Sequence, residues 1–590
     1  MLTLMLVLLQ PSTAVRGVTV IDGTGAAPLR DATVIVTGER IAAVGSRASV
    51  KIPAGARILD LPGRTLVPGF IDMHAHVALG PAYGPLHAGD PPLRTESDSL
   101  ANVLMLRRLL EWGVTTVRNP AGPTLEAVSV RDAVRAGKLP GPRIFTAGAL
   151  LDVIGAPGGL VETVKTDSSI RAAIRGQAAA GVDYVKLYAG LSPALIRAGI
   201  DEAHKQGIKA VGHLALTTWT DAARAGIDGI VHIVPGSPLL LPSARRAAFM
   251  KGWTGTQFMY RWFEHVDLQG AEIDTAITEL VKHNVVLDPT LVTFEAVFKG
   301  NDPAITASSD LATAPAALLR NWRQDFQLSY GWSTKDFTEA TAVWPTVLKF
   351  TKLLFDRGAN LTVGTDTPNP WAAPGTSYHR ELELYAQAGI PPLQILRLAT
   401  QSGAKALGID KDVGTIQAGK VADLVLLEAD PLADIRNTRR IGWVMQSGKM
   451  VPKFPDNDDA EAFEAARAIM DGMAQAVRKQ DGRLMASHYA DTGSVTFASH
   501  AFWAWTKADL AKAYSAWDST KSKGTFISWD ERRFERLGPD AVLGLARLRL
   551  ARGTPTGTAA DTVKGSWTGV FMRRGGKWAL THEHESFTPQ

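Results

Sequence analysis

Two histidines, His74 and His76, follow an apolar run at residues 66–71 in the sequence LVPGFIDMHAH. Side chains alternate along a strand, so residues two apart project to the same side. The run resembles a buried strand, and the two imidazoles at its end can face one point. Because neutral imidazole is a common ligand of transition metals, the spacing predicts half of a metal site at the end of a core strand.

Four further ionisable residues lie late in short β-type segments: Lys186, His213, His232 and Asp366. Taken singly, a histidine in such a position is more often a hydrogen-bonded structural residue, and a lysine is usually solvated. Five strands that each present an ionisable group near the same end are better explained by one shared site, since the carboxyl ends of parallel strands converge. We therefore interpret these residues and the histidine pair as a single set.

Predicted strands and helices alternate between His76 and Asp366. The helical segments have the expected apolar period at residues 100–112, 125–136, 170–180, 193–206, 220–225, 273–283 and 343–356. With the strand before His74, this makes eight β/α units, which favours a (β/α)8 TIM barrel over an open sheet. Two long inserts, at residues 235–271 and 294–337, interrupt the alternation, and we expect them to cover the active site.

Together these segments resemble the amidohydrolase superfamily, in the branch of imidazolonepropionase-like and prolidase-like binuclear enzymes. The matching pieces are VPGFIDMHAH at residues 67–76, VK at 185–186, GH at 212–213, VH at 231–232, GTD at 364–366 and GTIQAGKVADLV at 414–425. The resemblance covers roughly residues 15–452. It implies a barrel at residues 66–409 and a composite β-sandwich subdomain made of residues 15–65 and 410–452.

The resemblance also implies a ligand set for two divalent metal ions. His74, His76 and Asp366 would hold one ion, and His213 and His232 the other. In similar enzymes a lysine at the position of Lys186 is carbamylated and bridges the metals, whereas a barrel-mouth lysine that contacts substrate is the alternative. We expect zinc, with manganese or cobalt as alternatives. By the same resemblance, a metal-bridging hydroxide attacks the carbonyl, and Asp366 passes its proton to the departing nitrogen.

Three residues are candidates for substrate contacts: Tyr188, His379 and Arg118. Tyr188 shares a strand face with Lys186, His379 opens the helix after Asp366, and Arg118 could clamp a carboxylate. We expect a dipeptide (prolidase-like) or an N-acyl amino acid with a free carboxylate, and the alternative is imidazolonepropionase-like opening of a cyclic amide. Aromatic residues of the inserts would cover a hydrophobic side chain: Trp253, Trp262, Phe263, Phe294, Trp322 and Trp332.

Residues 456–590 have a different pattern, with a long helix, a second helix and four long strands. This order resembles the α+β cone of NTF2-like, SnoaL-like domains. Two histidines, His582 and His584, share one face of the last strand, but no further ligands accompany them, so we expect no second metal site there. An alternative of another class is a catalytically silent binding or assembly protein that uses this domain. We expect a homo-oligomer.

Composition limits which kinds of binding partner and which cellular location we expect. The formal net charge of +5 is small for 590 residues and no basic block occurs, so we expect no nucleic-acid partner. The absence of cysteine excludes disulfides, thiolate ligands and a cysteine nucleophile. Residues 1–14 are an apolar run followed by small residues, too short to span a membrane. We interpret them as part of a signal segment, which predicts a periplasmic or secreted protein; a first strand and a cytoplasmic location are the alternatives.

Overall fold

The structure is a computed structural model of the chain. It describes residues 12–83, 94–95, 99–154, 160–251, 255–324, 326–454, 458–491, 496–499, 502–504, 506–515, 526–551 and 562–587. Most of the predicted signal segment, residues 1–11, lies outside the described residues. Residues 12–14 belong to the first strand, Ser12–Val20, so the β subdomain begins at residue 12 rather than 15.

The predicted composite subdomain is one eight-stranded sheet, in which the two ends of the α/β region meet. Its order is Lys449–Met450, Ile441–Gln446, Leu424–Leu427, Thr65–Pro68, Ser12–Val20, Leu29–Thr37 and Arg40–Ser46, with Arg57–Asp60 beside Ser12–Val20. Leu424 pairs with Pro68 and Leu427 with Thr65, which joins the late segment to the early one. Among the described residues the two segments are therefore joined in one hydrogen-bonded sheet.

Eight parallel strands follow one another through the α/β region. They are Phe70–Asp72, Val114–Asn119, Arg143–Thr146, Tyr184–Leu187, Lys209–Gly212, Gly229–Val231, Val286–Asp288 and Asn360–Leu361. Leu150–Asp152 and Val161–Thr163 extend the sheet beside Tyr184–Leu187. The strands are short and almost wholly buried, as expected of parallel sheets covered by helices on their faces.

Helices connect these strands close to the predicted positions. Their bounds are Ser99–Glu111, Thr124–Arg135, Asp167–Ala179, Pro193–Lys205, Trp219–Arg224, Ala271–Lys282, Thr334–Asp356 and Thr376–Gln387, followed by Pro392–Arg397 and Gly403–Leu407. The helix before the last strand begins at Thr334 rather than at residue 343. Ser333 caps it, accepting from the amide of Asp336 while the Asp336 carboxylate accepts from the amide of Ser333, and this capping box fixes the earlier start.

The eight strands lie in two sheets that are hydrogen-bonded to each other at both edges. At one edge the amide of Asp183 donates to the carbonyl of Thr146 at 2.7 Å. At the other, the amide of Met73 donates to the carbonyl of Val363 at 2.8 Å, and Ala75 pairs with Thr367. The first strand thus neighbours the last, and the carboxyl ends of all eight point the same way.

Both inserts are helical. The first contains Ser243–Lys251 and Phe258–His265, and the second contains Pro303–Thr306 and Ala316–Gln324 after the helix Leu291–Phe298. Trp262 and Phe263 pack against Phe350 of the connecting helix Thr334–Asp356, which attaches the first insert to the main core.

The C-terminal domain packs helices Asp458–Lys479, Gly482–Ser487 and Lys507–Ser515 against a six-stranded sheet. The strand order is Phe502–Ala504, Thr496–Ser499, Lys577–Phe587, Thr562–Arg574, Ala541–Ala551 and Phe526–Gly538. The apolar pattern of the sequence predicts the four long strands at residues 526–534, 541–551, 563–573 and 577–587, and each lies within one residue of these bounds except the first, which continues to Gly538. Trp529 and Trp567 meet in the core of the domain. In the described part of the chain, no helix has the length and apolar character needed to cross a membrane.

Candidate metal centre and active site

The ends of the parallel strands bring the predicted ionisable residues to one cavity. His74 and His76 follow Phe70–Asp72, Lys186 lies within Tyr184–Leu187, and His213, His232 and Asp366 follow three other strands. The cavity has about 990 Å³ of empty space, its open mouth included, and five of the six residues line it: His76, Lys186, His213, His232 and Asp366. His74 is fully buried beneath it.

His74, His76 and Asp366 form the tightest group in this cavity. The Nε2 atom of His74 lies 3.2 Å from Oδ1 of Asp366, and the Nε2 atom of His76 lies 3.1 Å from the same oxygen. One donor atom from each residue falls within 4.8 Å of the others, and all three residues are buried. This compact arrangement of two nitrogens and one carboxylate oxygen matches the donor set that a divalent metal prefers.

The hydrogen bonds on the far side of each ring test whether a cation fits. Nδ1 of His76 faces the carbonyl of Ala121 at 3.1 Å, and Nδ1 of His74 faces the Asp288 carboxylate at 2.7 Å. Carbonyl and carboxylate oxygens only accept, so both rings carry their proton on Nδ1 and both Nε2 atoms are bare when neutral. The Nε2 atom of His74 is buried and has no hydrogen-bond partner. Two bare nitrogens that face one carboxylate oxygen are the arrangement that a shared cation satisfies, so the residues fit a metal.

The protonation states of Asp366 and His76 are also those of metal ligands. Burial alone would raise the pKa of Asp366, but the fields of His74 and His232 outweigh it and hold that pKa well below its usual value. Burial also lowers the pKa of His76, although Asp366 opposes this shift. The favoured forms are thus a carboxylate and a neutral imidazole, which are the protonation states of metal ligands.

His232 and Asp366 have backbone conformations that are costly for residues with a side chain. Their φ angles are +71° and +59°, in the left-handed region. The amide of His232 donates to the carbonyl of Asp288 and the amide of Asp366 to that of His74, at 2.8 and 2.6 Å. These neighbouring strands hold the turns, which direct both side chains into the cavity.

The second half of the predicted set also assembles. The ring centroids of His213 and His232 lie 4.5 Å apart, and those of His232 and His74 4.7 Å apart. Burial, together with the charge of Lys186, lowers the pKa of His213 to about 3. Lys186 is buried, and burial lowers its pKa to about 8 although Asp366 and Asp288 oppose this shift. A buried lysine of this kind readily supplies a neutral amine.

Tyr188 lies at the cavity as predicted. Its ring centroid is 4.7 Å from that of His213 and 5.9 Å from Nζ of Lys186. Burial raises the pKa of its phenol, with Asp366 adding to the shift, so the hydroxyl keeps its proton. It is the one predicted substrate contact that the structure brings to the cavity.

Arg118 does not lie where a carboxylate clamp would require. Its side chain is buried inside the strand region, and its Nη2 donates to Oδ1 of Asp288. The other oxygen of Asp288 accepts from Nδ1 of His74. The guanidinium therefore neutralises a carboxylate that orients a ligand, and it does not line the cavity.

His379 is also displaced from the predicted position. The helix that contains it, Thr376–Gln387, packs this ring against Phe70 and Trp112, at the opposite end of the first strand from His74. Its nitrogens face the hydroxyl of Thr438 and the carbonyl of Trp112 at 3.0 and 3.1 Å. It is fully buried, and burial lowers its pKa to about 3, so it is a neutral packing residue.

Asp288 and Asp72 are functional candidates that the sequence reasoning missed. Asp288 is the last residue of the strand Val286–Asp288, at the same end of the sheet as the proposed ligands. This position is the signal in the sequence by which it could have been found. Asp72 accepts from the amide of His74 at 3.0 Å and from the hydroxyl of Thr365 at 2.7 Å. Burial raises its pKa to about 7 against these donors. Both residues hold ligands in place, as outer partners of metal sites do.

The remaining cavity wall is largely apolar. The non-polar side chains come from several segments, two of them the predicted inserts: Leu79, Leu150, Leu160, Met259, Phe294, Leu318, Trp322, Phe326 and Leu328. Of the aromatics predicted to cover the site, Phe294 and Trp322 do so, whereas Trp262, Phe263 and Trp332 belong to the core or pack against it. Trp253 lies outside the described residues. Lys186 is the one basic side chain among the described lining residues, apart from the histidines.

Comparison with known proteins gives two family matches. The amidohydrolase family model matches residues 65–451, and the SnoaL-like domain model matches residues 466–590. Among solved structures, a Xaa-Pro dipeptidase with bound methionine in its active site superposes with a TM-score of 0.55 and 20% identity, over 74% of this chain and 99% of that one. This likeness shows that the α/β region has the amidohydrolase-type fold.

Curated relatives match over shorter stretches. Imidazolonepropionase of Legionella pneumophila (strain Corby) is 39% identical over 77 residues, which is 12% of this chain and 18% of that protein. N-substituted formamide deformylase of Arthrobacter pascens is 42% identical over 71 residues, 11% of this chain and 13% of that protein. The matched stretches thus span less than a fifth of the length of these two relatives.

Proposed function

The chain belongs to the amidohydrolase family, and from this membership we propose that it is a metal-dependent hydrolase that cleaves the C–N bond of an amide. The observation that supports the proposal best is the pair of bare Nε2 atoms, on His74 and His76, facing one oxygen of Asp366. We also propose that the eight parallel strands form a closed (β/α)8 barrel, in keeping with the hydrogen bonds at both edges of the two sheets.

We propose two metal sites, with zinc as the ion. His74, His76 and Asp366 would hold one ion, His213 and His232 the second, and carbamylated Lys186 would lie between them. The buried position of Lys186 and its lowered pKa support carbamate formation, in which the neutral amine adds to CO2 and releases a proton. Bound ions of this kind polarise an amide carbonyl and acidify water.

Side chains of the protein would then transfer the proton and bind the substrate. Asp366 is anionic and buried at the cavity, so its carboxylate can take a proton from the attacking water and deliver it to the departing nitrogen. Tyr188 keeps its hydroxyl proton and can donate a hydrogen bond to the carbonyl oxygen as negative charge develops there. Arg118 and Asp288 keep the ring of His74 in one orientation.

The cavity lining favours a substrate with a large apolar group. Its wall is made chiefly of leucine, methionine and aromatic side chains, so burying an apolar group of the substrate against it is favourable. Binding of a free carboxylate would call for a cation, and the described lining offers no arginine. We therefore propose an N-acyl amino acid or a dipeptide whose apolar side chain or acyl chain provides the recognition, with the carboxylate secondary.

A second candidate is hydrolysis of a cyclic amide. The match to imidazolonepropionase, at 39% identity over 77 residues, favours it. Both reactions require the same ligands and the same proton transfer by Asp366, so they differ only in what the cavity accepts.

A substrate panel with matched pairs tests these proposals. Comparing the N-decanoyl and N-acetyl forms of one amino acid tests how much apolar contacts contribute to turnover. Comparing each form with its primary carboxamide tests how much the free carboxylate contributes. X-Pro dipeptides, lactams and phosphotriesters complete the panel, with a chelated and reconstituted sample as the control. We expect the decanoyl amides to be the best substrates, with or without the carboxylate. Turnover confined to phosphotriesters, or fewer than one metal per purified chain, would overturn the proposal.

A further inference from the structure

The helix Ala316–Gln324, here termed the roof helix, forms part of the cavity wall. Leu318, Asn321 and Trp322 are spaced three and four residues apart, so they share one helical face, and all three are buried and line the cavity. Trp322 also contacts Trp371, with ring centroids 6.1 Å apart. The position of this helix therefore sets how much room an apolar substrate group has.

The roof helix is also hydrogen-bonded to the neighbouring rim of the cavity, which contains Gly80 and Ala82. Nδ2 of Asn321 donates to the carbonyl of Ala82 at 2.7 Å, and Oδ1 of Asn321 accepts from the amide of Ala82 at 3.2 Å. Gly80 and Ala82 line the same cavity. Because one amide side chain makes both bonds to one residue, a shift of the roof helix must shift this rim.

Arg320 lies on the other face of the roof helix and contacts the C-terminal domain. Its Nη1 and Nη2 atoms each lie 3.5 Å from Oε2 of Glu464, and Nη2 lies 3.3 Å from Oδ2 of Asp471. Glu464 and Asp471 are seven residues apart on the helix Asp458–Lys479, so they share one face of it. Two carboxylates of one domain thus hold one guanidinium of the other.

The carboxylates are themselves fixed from within the C-terminal domain. Oδ1 of Asp471 accepts from Nη1 of Arg532 at 2.5 Å, and Oε1 of Glu464 lies 3.4 Å from Nε of Arg467. Each acid therefore offers one oxygen to its own domain and the other to Arg320. The side chains of Arg320, Glu464 and Asp471 are 25%, 13% and 19% exposed, so solvent screens this network less than a lone surface ion pair.

We propose that Arg320 is a positioning residue through which the C-terminal domain fixes the roof helix and so sets the apolar part of the substrate cavity. This inference rests on the proposed function for the identity of the ligand, an amide with a large apolar group. Arg320 touches neither the metal ligands nor the cavity, so its effect reaches substrate only through Leu318, Asn321 and Trp322.

The test compares Arg320→Ala with Arg323→Ala in the full-length protein. Arg323 is an exposed arginine of the same helix, and it forms no ion pair with any described residue. Glu464→Gln probes the same contact from the other domain, and the double variant Arg320→Ala/Glu464→Gln probes their coupling. For each variant, kcat and KM are measured with N-decanoyl and N-acetyl substrates. Hydrogen exchange is measured for residues 80–83 and 316–324.

We expect Arg320→Ala to raise KM for the decanoyl substrate about tenfold, with kcat and metal content nearly unchanged and little effect on the acetyl substrate. Arg323→Ala should match the wild type, and the double variant should fall short of the sum of the single effects. Exchange should speed up in both segments for Arg320→Ala. Equal exchange and equal KM in Arg320→Ala and Arg323→Ala would overturn the inference. Because the exchange measurement needs no turnover, it remains decisive even if no amide proves to be a substrate.

Discussion

Asp288 accepts the Nδ1 proton of His74 at 2.7 Å, and this single bond decides which nitrogen of His74 faces the cavity. Asp288 is fully buried, and its second oxygen accepts from Arg118. A carboxylate that would be costly alone is therefore neutralised on one side while it orients a metal ligand on the other.

The first prediction follows from this contact. In Asp288→Asn, the amide must face either His74 or Arg118 with its NH2 group, where only an acceptor fits. We expect metal affinity to fall by about 10- to 100-fold, as measured by titration against a competing chelator. Asp152→Asn is the matched control, because Asp152 ends another strand and, among the described residues, its carboxylate accepts from the backbone amides of Val153 and Gly190 and from no side chain. An Asp288→Asn protein that holds metal as tightly as the wild type would remove Asp288 from this role.

The second prediction concerns Lys186. Replacement by alanine removes the proposed carbamate, so we expect activity to fall by several orders of magnitude and short carboxylic acids to restore part of it, since a small carboxylate can occupy the vacated space. Lys209→Ala is the control, because Lys209 starts the next strand at the end away from the cavity and donates to the carbonyl of Ala406 at 2.7 Å. Full activity of Lys186→Ala without added acid would exclude the bridging role.

The third prediction separates metal binding from proton transfer at Asp366. An asparagine keeps one oxygen near the Nε2 atoms of His74 and His76 but cannot take a proton. We expect Asp366→Asn to retain most of its metal and to lose about 10²- to 10⁴-fold in kcat, with no matching change in KM. Metal analysis and steady-state kinetics on the same sample measure both quantities. Near-normal turnover would assign the proton transfer to another group.

The fourth prediction concerns a buried acid of the C-terminal domain. Burial, with repulsion from Glu585, raises the pKa of Glu583 from its ordinary value of 4.5 to about 8. Tyr489 donates to one of its oxygens and Trp567 to the other at 2.8 Å, but these donors only partly offset the shift. Between the two pKa values the folded state binds more protons than the unfolded state. Stability therefore declines as pH rises through this range, by about 1.4 kcal/mol per pH unit.

Glu583→Gln removes this titration. We expect its free energy of unfolding to exceed that of the wild type increasingly from pH 5 to pH 8, when unfolding of this domain is followed by hydrogen exchange of the strand Lys577–Phe587. His582→Gln, on the exposed face of the same strand, should leave the slope as it is in the wild type. Parallel stability curves for Glu583→Gln and the wild type would contradict the raised pKa.

Much of the architecture was predictable because it depends on local pattern. The connecting helices and the long C-terminal strands lie close to their predicted positions, since apolar periodicity is a property of neighbouring residues. The family resemblance led us to expect that residues 15–65 and 410–452 join. The strand through which they join, Thr65–Pro68, lies mostly in the run that we predicted to be the first barrel strand, and that strand is instead Phe70–Asp72.

The order of residues in the chain was enough to identify the side chains that could form the metal centre. Each of the six lies late in a predicted strand or just after it, and the carboxyl ends of barrel strands converge. The positions of Arg118 and His379, by contrast, could be known from the folded protein alone. One pairs with Asp288 and the other packs beneath Phe70, and both outcomes depend on residues far away in the chain. Tertiary contacts also revealed Asp288 and Arg320, since their partners lie more than a hundred residues away and no local spacing encodes them.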